Sequence, residues 1–321
     1  VKAIVQDRYG PADLLRLADV DRPTAGPGQV LVQVRAAGVD PGVWHLMTGL
    51  PYAVRLGYGL RRPRNRVPGL DLAGLVTAVG PGVTGFTPGD AVYGTGAGSF
   101  AEYALAPAAR LAPKPANLTY TEAAAVPVSG QTALTAVRKA ARVRPGQRVL
   151  VIGAGGGVGS YAVQLARAAG AHVTGLCGPG KLDLVRSLGA AEVVDYTRTD
   201  LPDQQYDVVV DTAGNRPLSR LRRVLPPKGT LVLVGGEASD GKWLQGFDRQ
   251  LRALALSPVV GQRLVPLVAK ESTANLVALT EFIEAGQVRP VVDRTFSLAE
   301  APDAMRHVEG GHATGKVVIT I

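Results

Sequence analysis

The sequence predicts an α/β protein, a doubly wound parallel sheet that follows a β-rich, barrel-like domain. Three observations carry this. Up to about residue 125, short apolar runs are punctuated by Gly and Pro turns, the pattern of a compact antiparallel β domain. After Pro127 the period changes, and short apolar strands alternate with helices, which implies a parallel sheet covered on both faces. The first strand of that alternation runs directly into the glycine-rich segment Gly153–Gly159 and then into an Ala-rich helix.

In the first part, the opening residues VKAIVQDRYG read as a strand. Residues 29–35 (QVLVQVR) alternate polar and apolar side chains, as a half-buried strand does. Residues 70–80 (LDLAGLVTAVG) form a second apolar run, closed by Pro81-Gly82 and followed by Thr87-Pro88-Gly89-Asp90, both turn signals. Residues 92–93 and 100–105 read as further short strands. Beyond Pro127, residues 130–141 read as a helix broken at Pro145-Gly146. Strands are then expected at 148–152, 172–176, 192–195, 207–211, 230–234 and 263–269. Helices are expected at 160–169, 181–188, 218–225 and 274–285. The tail, residues 315–321 (GKVVITI), is another strand that breaks the alternation and is expected to return to the first domain.

Composition narrows the class. A chain of 321 residues suggests two domains, and 46% hydrophobic against 19% charged residues excludes a disordered chain. The single cysteine, Cys177, excludes a disulfide framework and a multi-cysteine zinc site. The four histidines are far apart in sequence, so no metal site is expected. A cytoplasmic home is expected. There is no signal-peptide pattern at the start, and no apolar stretch approaches the ~20 residues that span a bilayer, so no membrane partner is expected. The net charge is +9, from 35 Lys and Arg against 26 Asp and Glu, and 27 of the cations are Arg. Two readings of that excess stand side by side: the codon bias of a GC-rich genome, and attraction to an anionic ligand.

The glycine-rich turn is the most informative segment. Glycines let backbone N–H groups approach a pyrophosphate, and the helix N-terminus adds partial positive charge. With Gly159 as the helix-opening glycine and Gly156 as the middle one, the first position of the G-x-G-x-x-G pattern falls on Ala154. About 20 residues on, a dinucleotide fold carries its ribose-reading side chain. Here the strand ends Cys177-Gly178-Pro179-Gly180-Lys181, with no acid to repel a 2′-phosphate and with a cation at Lys181. That favours NADPH over NADH. Cys177 is expected at the sheet end beside the ribose, with nothing nearby to activate it as a nucleophile.

Several longer segments resemble the medium-chain dehydrogenase/reductase superfamily, and within it the zinc-free quinone oxidoreductase (zeta-crystallin-like) branch. They are Ala36-Ala37-Gly38-Val39-Asp40-Pro41, Pro68-Gly69-Leu70-Asp71-Leu72-Ala73-Gly74, Gly82-Val83-Thr84-Gly85-Phe86-Thr87-Pro88-Gly89-Asp90 and Gly130-Gln131-Thr132-Ala133-Leu134. Gly156-Gly157-Val158-Gly159, Leu188-Gly189-Ala190 and Gly315-Lys316-Val317-Val318-Ile319 complete the set. The resemblance implies a discontinuous GroES-like β-barrel domain, residues 1–125 and 271–321, around a Rossmann domain, residues 126–270, with the cofactor in the cleft between them. It implies that Thr132 lies beside the nicotinamide and that Gly155, Gly156, Gly157 and Val158 form the pyrophosphate turn. Lys181 and Tyr196 would hold the 2′-phosphate, and Gly235-Gly236 would floor the nicotinamide. Zinc-dependent relatives carry a cysteine in the slot of Asp40 and Gly-His-Glu where this chain has Gly69-Leu70-Asp71. Their four-cysteine lobe has no counterpart here, so the tetrahedral N and S ligands that zinc needs are missing.

The implied reaction is hydride transfer from NADPH to a quinone or an α,β-unsaturated carbonyl, with the cofactor supplying the chemistry. Proton delivery falls to Tyr52, His45 or water. The branch usually has Asn in the slot of Asp40. An acid there would act near the ribose or nicotinamide, or would cap the short helix that follows. Residues 42–66 depart from the smallest quinone reductases. They are longer and carry Arg55, Arg61, Arg62, Arg64 and Arg66, with Trp44-His45, Tyr52 and Tyr58 as candidate pocket residues. The alternatives are a zinc-free alcohol dehydrogenase or carbonyl reductase, and a non-catalytic RNA- or partner-binding relative, although no aromatic-interleaved RNA motif is present and no nucleic acid is expected. Relatives commonly form homodimers through Rossmann edge strands, for which residues 263–269 are the candidate.

Overall fold

The computed structural model describes residues 1–235 and 247–321. The chain divides into two compact units, Val1–Gln131 with Glu271–Ile321, and Thr132–Lys270. The boundary thus falls at residue 131, against the expected 125.

The first unit opens on an antiparallel hairpin, β1 (Lys2–Val5) with β2 (Arg16–Asp19). There follow β3 (Gln29–Val39), α1 (Pro41–Thr48), α2 (Arg55–Tyr58), β4 (Asp71–Val79), β5 (Ala91–Thr95), β6 (Tyr103–Pro107), β7 (Leu111–Pro113) and α3 (Tyr120–Ala124). α4 (Pro127–Leu134) crosses the boundary between the units. Val30, Val32 and Val34 of β3 face a core shared with Leu72, Val92 and Phe100. The end of β3 is buried on both faces. A Cβ at Gly38 would meet the Ala124 carbonyl oxygen at 2.4 Å and Asp71 Oδ2 at 2.8 Å, so only glycine lets α3 pack this closely on the strand.

The second unit runs β8 (Arg148–Ile152), α5 (Gly157–Ala168), β9 (His172–Cys177), α6 (Leu182–Ser187), β10 (Glu192–Asp195), β11 (Val208–Asp211), α7 (Leu218–Arg223), β12 (Thr230–Leu233), α8 (Phe247–Leu256) and β13 (Arg263–Pro266). All neighbours are parallel, in the order β10-β9-β8-β11-β12-β13. Counted within the unit, that is 3-2-1-4-5-6, the doubly wound order whose switch point lies between the first and fourth strands. The strands are buried Val, Leu and Ile runs, as a sheet covered on both faces requires. α5 begins at Gly157, three residues before the expected start. The segment expected as one helix over 130–141 is instead α4 followed by π-type winding over Thr135–Ala141.

The chain then returns to the first unit with α9 (Thr273–Glu284), β14 (Val292–Ser297), α10 (Ala301–Glu309) and β15 (Lys316–Thr320). β15 pairs antiparallel with β3, Val317 opposite Val39 and Thr320 opposite Ala36. The resulting sheet has the order β14-β15-β3-β4-β5-β7, with β6 also on β3.

Candidate active site

The glycine turn lies at the switch point of the second unit's sheet, directly after β8. Gly153 takes φ +79°, a left-handed conformation that suits glycine, and its N–H and that of Ala154 donate to the Leu176 carbonyl at 2.9 and 3.1 Å. Ala154, in the first motif position, is fully buried and faces the core. A Cβ on Gly159 would lie 2.0 Å from the Gly153 carbonyl oxygen, so glycine there closes the helix onto the strand. Gly156 is the N-cap of α5 and Gly157 and Val158 are its first helical residues, with no side chain capping them. First-turn N–H groups lack intrahelical acceptors, so this end is built to receive an anion.

The end of β9 shapes the neighbouring wall. Cys177 is buried, and burial pushes its thiol up to about 11, so it stays protonated and unreactive. Lys181 folds back over the turn, its Cδ 2.7 Å from where a Cβ on Gly155 would be. Tyr196, 51% exposed, follows β10 and donates its N–H to the Cys177 carbonyl at 3.1 Å. Its ring lies 3.4 Å from the Cβ position of Gly178. Parallel pairing of Asp195 with Cys177 brings Tyr196 and Lys181 to the same strand end. The carboxylate of Asp195 is turned to Thr197, accepting from its N–H and hydroxyl.

Thr132 is half-buried on α4. Gly235 follows β12 and approaches the strand end of β11, where a Cβ would meet the Thr212 carbonyl oxygen at 2.5 Å. Gly236 lies outside the described residues.

In the first unit, Asp40 is the N-cap of α1. Its Oδ1 accepts from Gly42 N–H at 2.8 Å, and the residue is 3% exposed. Of the two readings of Asp40, this geometry supports the cap. Its Oδ2 has no hydrogen-bond partner and lies 3.7 Å from Lys316 Nζ. The same ammonium donates to Asp71 Oδ2 at 3.2 Å, while Asp71 Oδ1 accepts from Val128 N–H at 2.9 Å in the first turn of α4. Burial first, and the Asp40 charge after it, push the Asp71 carboxyl up to about 7 against the opposing pull of Lys316. One buried cluster therefore ties together the starts of α1, β4, α4 and β15. In the sequence Lys316 stands out only as part of the tail motif. The available signal was a lysine opening an otherwise apolar strand.

His45, on α1, donates Nδ1–H to the Leu50 carbonyl at 2.7 Å, since a carbonyl can only accept. Nε2 is the ring's other titrating nitrogen, the one through which a proton could be passed on. Tyr52 lies under the Arg55 guanidinium, 4.6 Å from its ring centroid.

A six-stranded 3-2-1-4-5-6 sheet with this turn at its switch point defines the dinucleotide-binding Rossmann class. A family model described as alcohol dehydrogenase GroES-like domain matches residues 26–116, and one described as zinc-binding dehydrogenase matches residues 188–319. The chain is 33% identical to a chloroplast envelope quinone oxidoreductase homolog of Arabidopsis thaliana, covering 97% of this chain and 95% of that one. It is 35% identical to a 2-methylene-furan-3-one reductase of Solanum lycopersicum, covering 99% and 79% respectively. The quinone oxidoreductase structure from Coxiella burnetii superposes with a TM-score of 0.85 at 27% identity, over 100% of this chain and 99% of that one. The chain belongs to the medium-chain dehydrogenase/reductase superfamily, in its quinone oxidoreductase branch. Its fold is the GroES-like domain and Rossmann sheet of that superfamily. No helix among the described residues is long and apolar enough to cross a membrane.

Proposed function

We propose that the protein is a zinc-independent, NADPH-dependent reductase of quinones or α,β-unsaturated carbonyl compounds. The observation that carries this is the wall beside the glycine turn. Where NAD-selective folds place an acid, this chain ends β9 in Cys177-Gly178 and sets Lys181 and Tyr196 around the turn. The residues suit a dinucleotide: the Gly155–Val158 segment offers backbone N–H groups to a pyrophosphate, and Lys181 with Tyr196 offers a cation and a hydroxyl to a 2′-phosphate. When bound, the reduced nicotinamide supplies hydride equivalents to an electron-poor carbon. Thr132 and Gly235 are read as its neighbours, on α4 and after β12.

The donor set does not suit zinc. Asp40 and Asp71, at two of the metal-ligand slots, already share the Lys316 ammonium, and Leu70 stands where a histidine would be needed. Among the described residues, no three His, Cys, Asp or Glu side chains converge. With no Lewis acid to polarise an alcohol oxygen, conjugated acceptors are the natural substrates, because the negative charge left after reduction is delocalised. Tyr52 and His45 are the proton-donor candidates, and Asp40 acts as a positioning residue that sets the start of the helix carrying His45. The two relatives described above, a quinone oxidoreductase homolog and a 2-methylene-furan-3-one reductase, support the same reading.

A homodimer through the edge of the second unit's sheet belongs to this reading. β13 is an edge strand, and Leu251, Leu254, Val259 and Val268 around it are exposed, an apolar edge that invites pairing. The chain's single cysteine, Cys177, is free, and a chain without an internal disulfide accords with a cytoplasmic setting. The function is tested by following NADPH oxidation with purified protein. Turnover of quinones or enones, with none of simple ketones, is expected. Turnover of simple ketones alone overturns the reading. Light scattering at micromolar concentration tests the dimer.

A further inference from the structure

Residues 41–70 contain five arginines and no Asp or Glu, so this stretch contributes +5 to a chain of net charge +9. The structure divides the five arginines into two groups. Arg55 and Arg66 are internal braces. The Arg55 guanidinium lies over the rings of both Tyr9 and Tyr52, 4.6 Å from each centroid, and donates Nε–H to the Gly49 carbonyl at 2.9 Å. Arg66 pairs with Asp7. Two further bonds hold the segment's shape: the Tyr9 hydroxyl donates to the Gly59 carbonyl at 2.7 Å, and Arg64 N–H donates to the Tyr58 carbonyl at 2.8 Å.

Arg61, Arg62 and Arg64 form the second group. Their side chains are exposed, and among the described residues no carboxylate pairs with them. Beside them Leu56 and Leu60 are 73% and 68% exposed. A single exposed leucine is unremarkable, but two large exposed aliphatic side chains followed at once by three exposed cations, which no carboxylate among the described residues pairs, make this braced loop an amphipathic stretch. Guanidinium groups match carboxylate and phosphate geometry, and the aliphatic side chains match a hydrocarbon body. The loop follows α1 and Tyr52 directly, so it continues from the proton-donor candidates.

We propose that this loop is a specificity element. It selects conjugated carbonyl substrates that carry an anionic group remote from the reacting carbons, with Leu56 and Leu60 meeting the apolar body and Arg61, Arg62 and Arg64 meeting the anion. The assignment rests on the reductase reading above, whose substrate class it narrows. It also gives part of the Arg excess a use that neither genome composition nor the cofactor accounts for.

A matched pair of substrates tests it: an enone bearing a carboxylate at the end of its alkyl chain, and the methyl ester of the same enone. The reacting carbons are identical, and only the remote charge differs. The wild-type protein is expected to show about a tenfold higher kcat/KM for the acid at low salt, the advantage shrinking as ionic strength screens exposed charges. Arg61→Gln/Arg62→Gln/Arg64→Gln is expected to bring the acid-to-ester ratio to about one while leaving ester turnover unchanged. Arg35→Gln/Arg110→Gln/Arg144→Gln removes the same charge from exposed positions elsewhere and should keep the preference. Equal kcat/KM for acid and ester in the wild type, or a preference that survives the loop variant, overturns the inference and leaves the reductase reading standing. Reduction of neither compound nor of a plain quinone overturns both.

Discussion

Lys316 Nζ lies 3.2 Å from Asp71 Oδ2, and both residues are sealed from solvent although 245 positions separate them in the chain. With Asp40 at 3.7 Å, a single ammonium faces two buried carboxylates. Removing one partner of a buried ion pair leaves an uncompensated charge, which costs roughly 3–5 kcal/mol. Lys316→Met is therefore expected to destabilise the protein by about that amount at pH 8, measured by chemical denaturation. Asp40→Asn keeps a capping side chain on α1 and removes one of the crowded charges. It should leave stability unchanged or raise it. A loss as large as that of Lys316→Met would contradict the account of the cluster.

The same cluster makes stability depend on pH with a definite sign. Asp71 is pushed up to about 7 from an ordinary 3.8, chiefly by burial, so the folded protein holds this proton to higher pH than the unfolded chain does. Between those values the native state binds more protons, and stability falls as pH rises through the window. Asp71→Asn keeps an oxygen acceptor for Val128 N–H and cannot ionise. Denaturation midpoints from pH 4.5 to 8 should decline for the wild type and lose that component of the slope in the variant. Parallel curves would refute the assignment to Asp71.

On the proposed reading, Lys181 carries the choice of cofactor. A charge-assisted hydrogen bond contributes about 1.5–3 kcal/mol, or roughly 10- to 150-fold in affinity. Lys181→Ala should weaken NADPH by about that factor and NADH by little, since only NADPH has a 2′-phosphate. Fluorescence titration of both nucleotides checks it. Equal losses would reduce Lys181 to a packing residue over Gly155.

Legibility in the sequence followed the range of the interactions. The strand over residues 148–152, the glycine turn and Lys181 after β9 lie within about 35 residues, and their pattern is local. In the sequence the start of α5 is hidden, because glycines at 157 and 159 look like loop until the close contact of Gly159 with Gly153 shows that they are helix. β14 was missed because it lies at the sheet edge with most of its side chains exposed, so it lacks a buried face to read. The Lys316 cluster was out of reach for another reason. Its members come from β15, β4 and the cap of α1, and the pairing of β3 with both β15 and β4 brings them together.

That contact between turn and helix can be tested with two glycines that differ only in surroundings. A Cβ on Gly159 would sit 2.0 Å from the Gly153 carbonyl oxygen, whereas one on Gly180 would meet nothing within 4 Å. Forcing an extra carbon into a packed site typically costs 1–3 kcal/mol, and more against backbone that cannot turn aside. Gly159→Ala must push α5 off β8 or move the turn. It is expected to lower the melting temperature by several degrees and to weaken NADPH at least tenfold, because Gly156, Gly157 and Val158 would lose their alignment. Gly180→Ala adds the same methyl beside Lys181 in open space and should change neither. Thermal melts with nucleotide titrations of both variants decide the matter, and an unaffected Gly159→Ala would show that the turn tolerates a side chain where the backbone leaves no room for one.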